Sequence, residues 1–405
     1  MRKLIGIAIL STFALSGCGT MRDWFRSDTS KATDPTKLTE IAGAMEVDEL
    51  WSESLGSGEK QLGLRQRPAT DGSTVFAVTD EGAVRALDIE TGKTRWERSL
   101  EEAANSRGWK LWQSGVLEGG IQSSVGLGDG LVVVTGRAGT VFALSADSGE
   151  PRWEAKVNAE VLAAPLISRG TVIVRSQDGR VTALDAADGK QKWAVDRAIP
   201  TLTSRGAGSP VAAGGLVVVG NDDGTVVALR QEDGAPVWEA PVAEPEGRSE
   251  LDRLVDVDGD LAVGADAIYA SSVRGITVSI SLAGGQVGWT RDNGGSNSLD
   301  LTGDGVLLAD KGGTLWALDR ASGSALWRNE SLLRREPTGP ALAGSLGVVG
   351  DVEGFLHWFD PSTGEIKARA KVGSARILAT PLVTSTGVVV AVTDEGRLAA
   401  FRVVE

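Results

Sequence analysis

The chain has 405 residues, with 41 Lys and Arg against 54 Asp and Glu and a formal net charge of −13. A surface this acidic repels phosphates, which excludes electrostatic binding to nucleic acid or to anionic lipid headgroups. Its single cysteine, Cys18, has no partner for an internal disulfide, and its 53 glycines suit a chain with many tight turns.

In chain order, Arg2 and Lys3 supply two positive charges and Leu4 to Leu15 is an apolar run of signal-peptide length. That run is shorter than the roughly 20 residues a membrane-spanning helix needs. Leu15-Ser16-Gly17-Cys18 resembles a lipobox, in which small residues admit the signal peptidase and the cysteine thiol takes the lipid. The resemblance implies a signal peptide over residues 1–17 and acylation at Cys18. Lipoproteins retained at the inner membrane usually carry Asp at the next position; Gly19 implies transfer to the outer membrane. Residues 18–45 are expected to form the lipidated N-terminus and a flexible tether, since Asp28 to Thr39 is rich in Ser, Thr, Lys and Pro.

Residues 46–405 repeat. Glycines recur at Gly82, Gly139, Gly179, Gly224, Gly275, Gly313, Gly354 and Gly396, so successive differences are 57, 40, 45, 51, 38, 41 and 42. The first six are each followed by a strand, a second turn glycine and a strand bearing Trp. Asp88 to Trp96, Asp185 to Trp193 and Asp319 to Trp327 are full copies. Degenerate ones end at Trp153, Trp238 and Trp289, and a seventh has Gly364 with Ala368 in the Trp position. Eight units of about 40 residues match four-stranded propeller blades, which predicts an all-β, eight-bladed β-propeller. In the third unit, Leu162–Ser168, Thr171–Ser176, Arg180–Ala186 and Lys190–Asp196 read as antiparallel strands, with Val, Ile and Thr dominating the buried middle pair. The tryptophans are expected to pack on the turn of a neighbouring blade. The eighth unit ends one strand short, and Val47 to Trp51 resembles the missing Trp strand. Pairing it with the C-terminal blade would close the ring.

The Asp-x-x-x-Gly-x-x-x-Trp repeat resembles the tryptophan docking motif of quinoprotein dehydrogenases, which carry pyrroloquinoline quinone and Ca²⁺ on the propeller axis with an Asp base. Here no vicinal cysteine pair exists, and the lone histidine, His357, sits in a strand between Leu356 and Trp358. It reads as a structural residue. No zinc-ligand spacing, Gly-x-Ser-x-Gly elbow or P-loop is present. The expectation is a chain with no catalytic residue, no metal and no cofactor beyond the lipid.

A lipobox joined to a propeller of this repeat resembles the BamB family, lipoproteins of the outer-membrane β-barrel assembly machinery, over the whole chain from Cys18 to the last blade. Pro200 to Gly206 is similar to that family's Leu/Arg loop, and Glu250 to Asp258 to its acidic loop. In the family these loops bind the periplasmic POTRA domains of BamA, the barrel-bearing subunit. The resemblance implies Leu202, Arg205, Asp256 and Asp258 as partner contacts. Ser204 stands where the family usually has a second Leu, which weakens the apolar part of the match.

Both segments join the outer strand of one blade to the inner strand of the next, so they emerge on one face from adjacent blades. Glu250 and Arg253 are possible additional contacts, and internal ion pairs of Arg205 and Arg253 with Asp252, Asp256 and Asp258 are the alternative. The largest insertion, Glu101 to Gly120 with Trp109 and Trp112, reads as a short helix packed on the ring or as a second contact. Three function classes stand: a scaffold subunit of the assembly machinery, a quinoprotein-type dehydrogenase, and a periplasmic sugar- or peptidoglycan-binding propeller. The first is preferred, with other machinery subunits, the outer membrane and nascent outer-membrane proteins as further partners.

Overall fold

The computed structural model describes residues 34–56, 67–79, 81–102, 124–136, 139–204, 206 and 208–404. Cys18, Gly19, Arg205 and most of the 101–120 insertion, with Trp109 and Trp112, lie outside the described residues.

Alternation of short Val-rich strands with glycine turns produces eight four-stranded antiparallel sheets, numbered here as blades 1 to 8 in chain order. Blade 3 shows the common build: Leu166–Ser168, Thr171–Arg175, Val181–Asp185 and Gln191–Val195 from the axis outward. Its second strand is buried along its whole length, whereas in the outermost only Trp193 is buried. Core packing is therefore between blades: Ile173, Ala183 and Trp193 of blade 3 cluster with Val217, Val227 and Leu229 of blade 4. All eight glycines of the sequence period have positive φ, in the turn between second and third strands.

Blade 8 joins the two ends of the chain. Val47–Ser54 pairs antiparallel with Arg397–Val403, in register from Val47 opposite Val403 to Ser54 opposite Arg397 with a bulge near Trp51. Every blade thus has four strands, and the expected closure is present.

The tryptophans dock as expected. Trp51, Trp96, Trp153, Trp193, Trp238, Trp289 and Trp327 each donate their indole N–H to a carbonyl of the next blade's outer turn, at 2.8–3.0 Å. The exception, Ala368 of blade 7, faces the one blade whose outer two strands come from opposite ends of the chain and so share no turn. An indole there would have no turn carbonyl to reach. Trp358 fills this interface instead, edge-on to Phe401 of blade 8 with ring centroids 6.5 Å apart.

One expectation changes. Residues 34–45 are not free tether but a strap over blades 6 and 7. Thr36 donates its N–H to Leu333 O at 3.1 Å, Arg335 donates to Thr36 O at 2.8 Å, and Arg369 to Thr39 O at 3.1 Å. Leu38 packs on the cluster of Leu332, Val349 and Phe359, and Met45 N–H reaches Lys367 O. Polar composition suggested a linker, but the buried Arg335, the partly exposed Arg369 and one apolar staple fix the segment.

Candidate partner-docking face

The connectors from each outer strand to the next inner strand, together with the turns between second and third strands, make up one face of the ring. The connector between Gln191–Val195 and Val211–Ala213 carries Ile199 and Leu202, which are 44% and 42% exposed. The next, between Pro236–Pro241 and Ala262–Val263, carries Leu251, 71% exposed. Exposed aliphatic side chains on neighbouring loops are candidates for contact with another protein.

Beneath Leu202 the two connectors are bonded together. Asp256 Oδ1 accepts the Ser204 N–H at 3.0 Å, and Asp258 Oδ2 accepts the Ser204 hydroxyl. Gly206 lies so close over Asp258 that a Cβ there would stand 2.6 Å from the carboxyl carbon. The segment is tied to the blade ends as well, through Val257 N–H to Asn221 O and Val273 N–H to Asp256 O.

Asp256 and Asp258 are buried, so their carboxylates are not at the surface where the sequence reading put direct contacts. Both residue parities of Val255-Asp256-Val257-Asp258 are inside, because the segment runs between the ends of two blades. A third buried acid, Asp222, joins them, and ligand oxygens of the three lie within 4.8 Å of one another. Arg175 of blade 3 reaches across to Asp222 at 2.5 Å. Burial, then the charge of Asp258, pushes Asp256 up to about 7; the Ser204 N–H opposes this shift and the charge of Asp222 adds to it.

Glu250 and Arg253 lie on the exposed part of the second connector and pair with each other at 3.8 Å. Arg253 therefore turns to Glu250 rather than to the buried acids, while Asp252 accepts the Ser249 N–H. Sequence reasoning missed Ile199, Leu251, Asp222 and Arg175. Arg175 carried a signal, since it is a charged residue that ends the apolar run Val172-Ile173-Val174.

A channel of about 580 Å³ runs along the axis, lined from successive blades by residues such as Thr70, Leu127, Val211, Asp300, Ala341 and Leu382. Arg67 crosses it to Asp260 at 2.9 Å. His357 is far from this role: it is fully buried in blade 7, with Nε2 bonded to Asp351 at 2.8 Å and Nδ1 accepting from Arg369 at 3.2 Å. Both ring nitrogens are occupied, so the imidazole is not poised as a base. Among the described residues the carboxylates grouped closely enough to hold a metal ion, Asp222, Asp256 and Asp258, are not in the lining of this channel. No helix among the described residues is long and apolar enough to cross a membrane.

Comparison with known proteins decides the family. Residues 44–107, 103–329 and 312–404 match the family described as "Outer membrane protein assembly factor BamB". A protein of that name from Xanthomonas campestris pv. campestris is 40% identical over 409 residues, covering 100% of this chain and 98% of the relative. The chain belongs to the BamB family. The BamB of Escherichia coli K12 is 32% identical, covering 94% of each chain. The crystal structure of BamB from Moraxella catarrhalis superposes with a TM-score of 0.75 at 25% identity, covering 88% of this chain and 100% of that one. A quinohemoprotein alcohol dehydrogenase from Comamonas testosteroni shares the fold, with a TM-score of 0.68 at 16% identity over 88% of this chain and 76% of its own. That likeness is one of architecture. The BamB relatives are assembly factors, and the chain is not an enzyme.

Proposed function

We propose that this BamB-family chain is a scaffold subunit of the outer-membrane β-barrel assembly machinery, held at the outer membrane by a lipid on Cys18. Its connector face docks the periplasmic POTRA domains of BamA, and the docked propeller keeps those domains in an arrangement that favours barrel folding and insertion. No cofactor or metal takes part. Leu202 and Arg205 are the direct contacts, while Asp256 and Asp258 act from below by holding Ser204. Glu250 and Arg253 extend the contact at the rim.

The observation that carries this reading is the pairing of full-length family membership with an exposed Leu202 on a loop anchored by buried acids. Arg is enriched at interface hot spots, and in sequence Arg205 lies three residues from the exposed Leu202. Lipid anchoring raises the effective concentration of the two partners, so a modest contact suffices. Loss of the subunit slows barrel insertion without abolishing it, because no chemical step is removed.

The test is co-purification of BamA with the lipidated chain from detergent extracts, comparing wild type with a Leu202→Ala/Arg205→Ala double variant. Retention by wild type and loss by the folded variant supports both the role and the patch. Absence of BamA from the wild-type eluate overturns the reading.

A further inference from the structure

The docking loop is held by residues that are held in turn by something else. Ser204 rests on Asp256 and Asp258, and both acids lie against Asp222, in the turn between second and third strands of blade 4. Asp222 is gripped by the Arg175 guanidinium, 2% exposed and contributed by the second strand of blade 3. A line of polar contacts therefore runs Arg175, Asp222, Asp256 and Asp258, Ser204, and ends two residues from Leu202. It ties blade 3, blade 4 and the connector to blade 5.

Charge makes this line more than packing. Three acids packed together repel one another when ionised, and a cation placed against the group offsets that repulsion, as does the proton that Asp256 retains towards pH 7. Arg175 supplies such a cation, placed on Asp222. Three other described arginines near by pair elsewhere: Arg197 with Asp223 and Glu239, Arg274 with Glu246, Arg253 with Glu250. Burying a guanidinium here carries a desolvation cost, and no other second strand contains a charged residue. Blades 2 and 4 end the corresponding strands with Thr135 and Gly220.

We propose that Arg175 and Asp222 are positioning residues for partner docking: the ion pair between blades 3 and 4 sets the spacing of Asp256 and Asp258 and thereby the conformation of the loop that presents Leu202. This rests on the docking role proposed above, but the loop's conformation is measurable without a partner.

The experiment has two arms on the full-length, detergent-solubilised protein. Hydrogen exchange of the amides over residues 199–206 reads the free loop, and binding of purified BamA POTRA domains reads docking. Arg175→Met is expected to speed exchange of the Ser204 amide and to weaken POTRA binding, each by about tenfold, the scale of one lost buried hydrogen bond. Arg175→Lys restores both in large part, since it returns the charge to the same site. Asp222→Asn, which keeps the shape and removes the charge that holds Arg175, gives the Arg175→Met result without loss of the folded ring. Unchanged loop exchange in Arg175→Met and Asp222→Asn overturns the proposal. Faster exchange with unchanged POTRA binding also overturns it, because the loop would then not be the docking element. If wild type itself fails to bind POTRA domains, the docking role falls, while the exchange arm still decides whether the pair positions the loop.

Discussion

The Trp153 indole lies directly on Gly189 of the next blade: a Cβ on that glycine would fall 2.6 Å from the ring, and the indole N–H donates to Ala186 O at 2.8 Å. Gly189 has a φ of +72°, so the turn needs glycine for its backbone as well as for the space. One contact thus couples a tight turn, a blade interface and a buried hydrogen bond. Trp153→Ala is expected to destabilise the ring by about 3–5 kcal/mol in denaturant unfolding, through the cavity and the orphaned carbonyl. Trp153→Phe keeps most of the apolar contact and loses chiefly the hydrogen bond, at about 1 kcal/mol.

Leu202 presents the opposite case, an exposed side chain with little part in the fold. Leu202→Ala is expected to leave unfolding free energy within about 0.5 kcal/mol of wild type. The same change is expected to weaken POTRA association by about 2 kcal/mol, read by titration calorimetry.

Asp256 gives the fold a pH dependence of unusual sign for a carboxylate. Its folded value, about 7, lies above the ordinary Asp value, so the native state binds the proton more tightly than the unfolded chain. Its contribution to stability is fully present below pH ~4, declines as pH rises and is gone above about 7. Asp256→Asn removes this slope, so the variant gains on wild type as pH is raised from 5 to 8. Urea melts across that range measure the difference, and a gap that stays constant with pH would count against the assignment.

The strap makes a separate prediction. Arg335 is buried, bonds Asp351 at 2.8 Å and Glu353 at 2.7 Å, and holds Thr36 O. Arg335→Met leaves Asp351 without its guanidinium partner and is expected to cost about 3–5 kcal/mol. Trypsin cleavage after the exposed Lys37 should quicken in parallel, because the strap loses its clamp.

The ring was legible because its parts demand particular residues. A positive-φ turn asks for Gly, and an indole docked on a turn asks for Trp at a fixed distance from it. These signals repeat, so Ala368 also showed as a gap, although its cause emerges only where the chain ends meet in blade 8. The loops bearing Leu202 and Leu251 were legible as connectors on one face. The depth of Asp256 and Asp258 was not. Alternating Val and Asp reads as a strand with one wet side, and nothing local reveals that a neighbouring connector covers that side with Ser204 and Gly206. Arg175 and Asp222 are 47 positions apart, so their contact is a product of blade packing alone. The strap was misread for a related reason: its partners, Leu333 to Arg335, lie nearly 300 residues away.

The most direct test of docking through the connector face is photo-crosslinking in cells from the lipidated protein. A photoreactive residue replaces Leu202 in one strain. In a second it replaces the exposed Val404, which follows the third strand of blade 8 at the opposite face. The account predicts a BamA adduct from position 202 and none from position 404. An adduct from position 404 alone, or from neither, would contradict it.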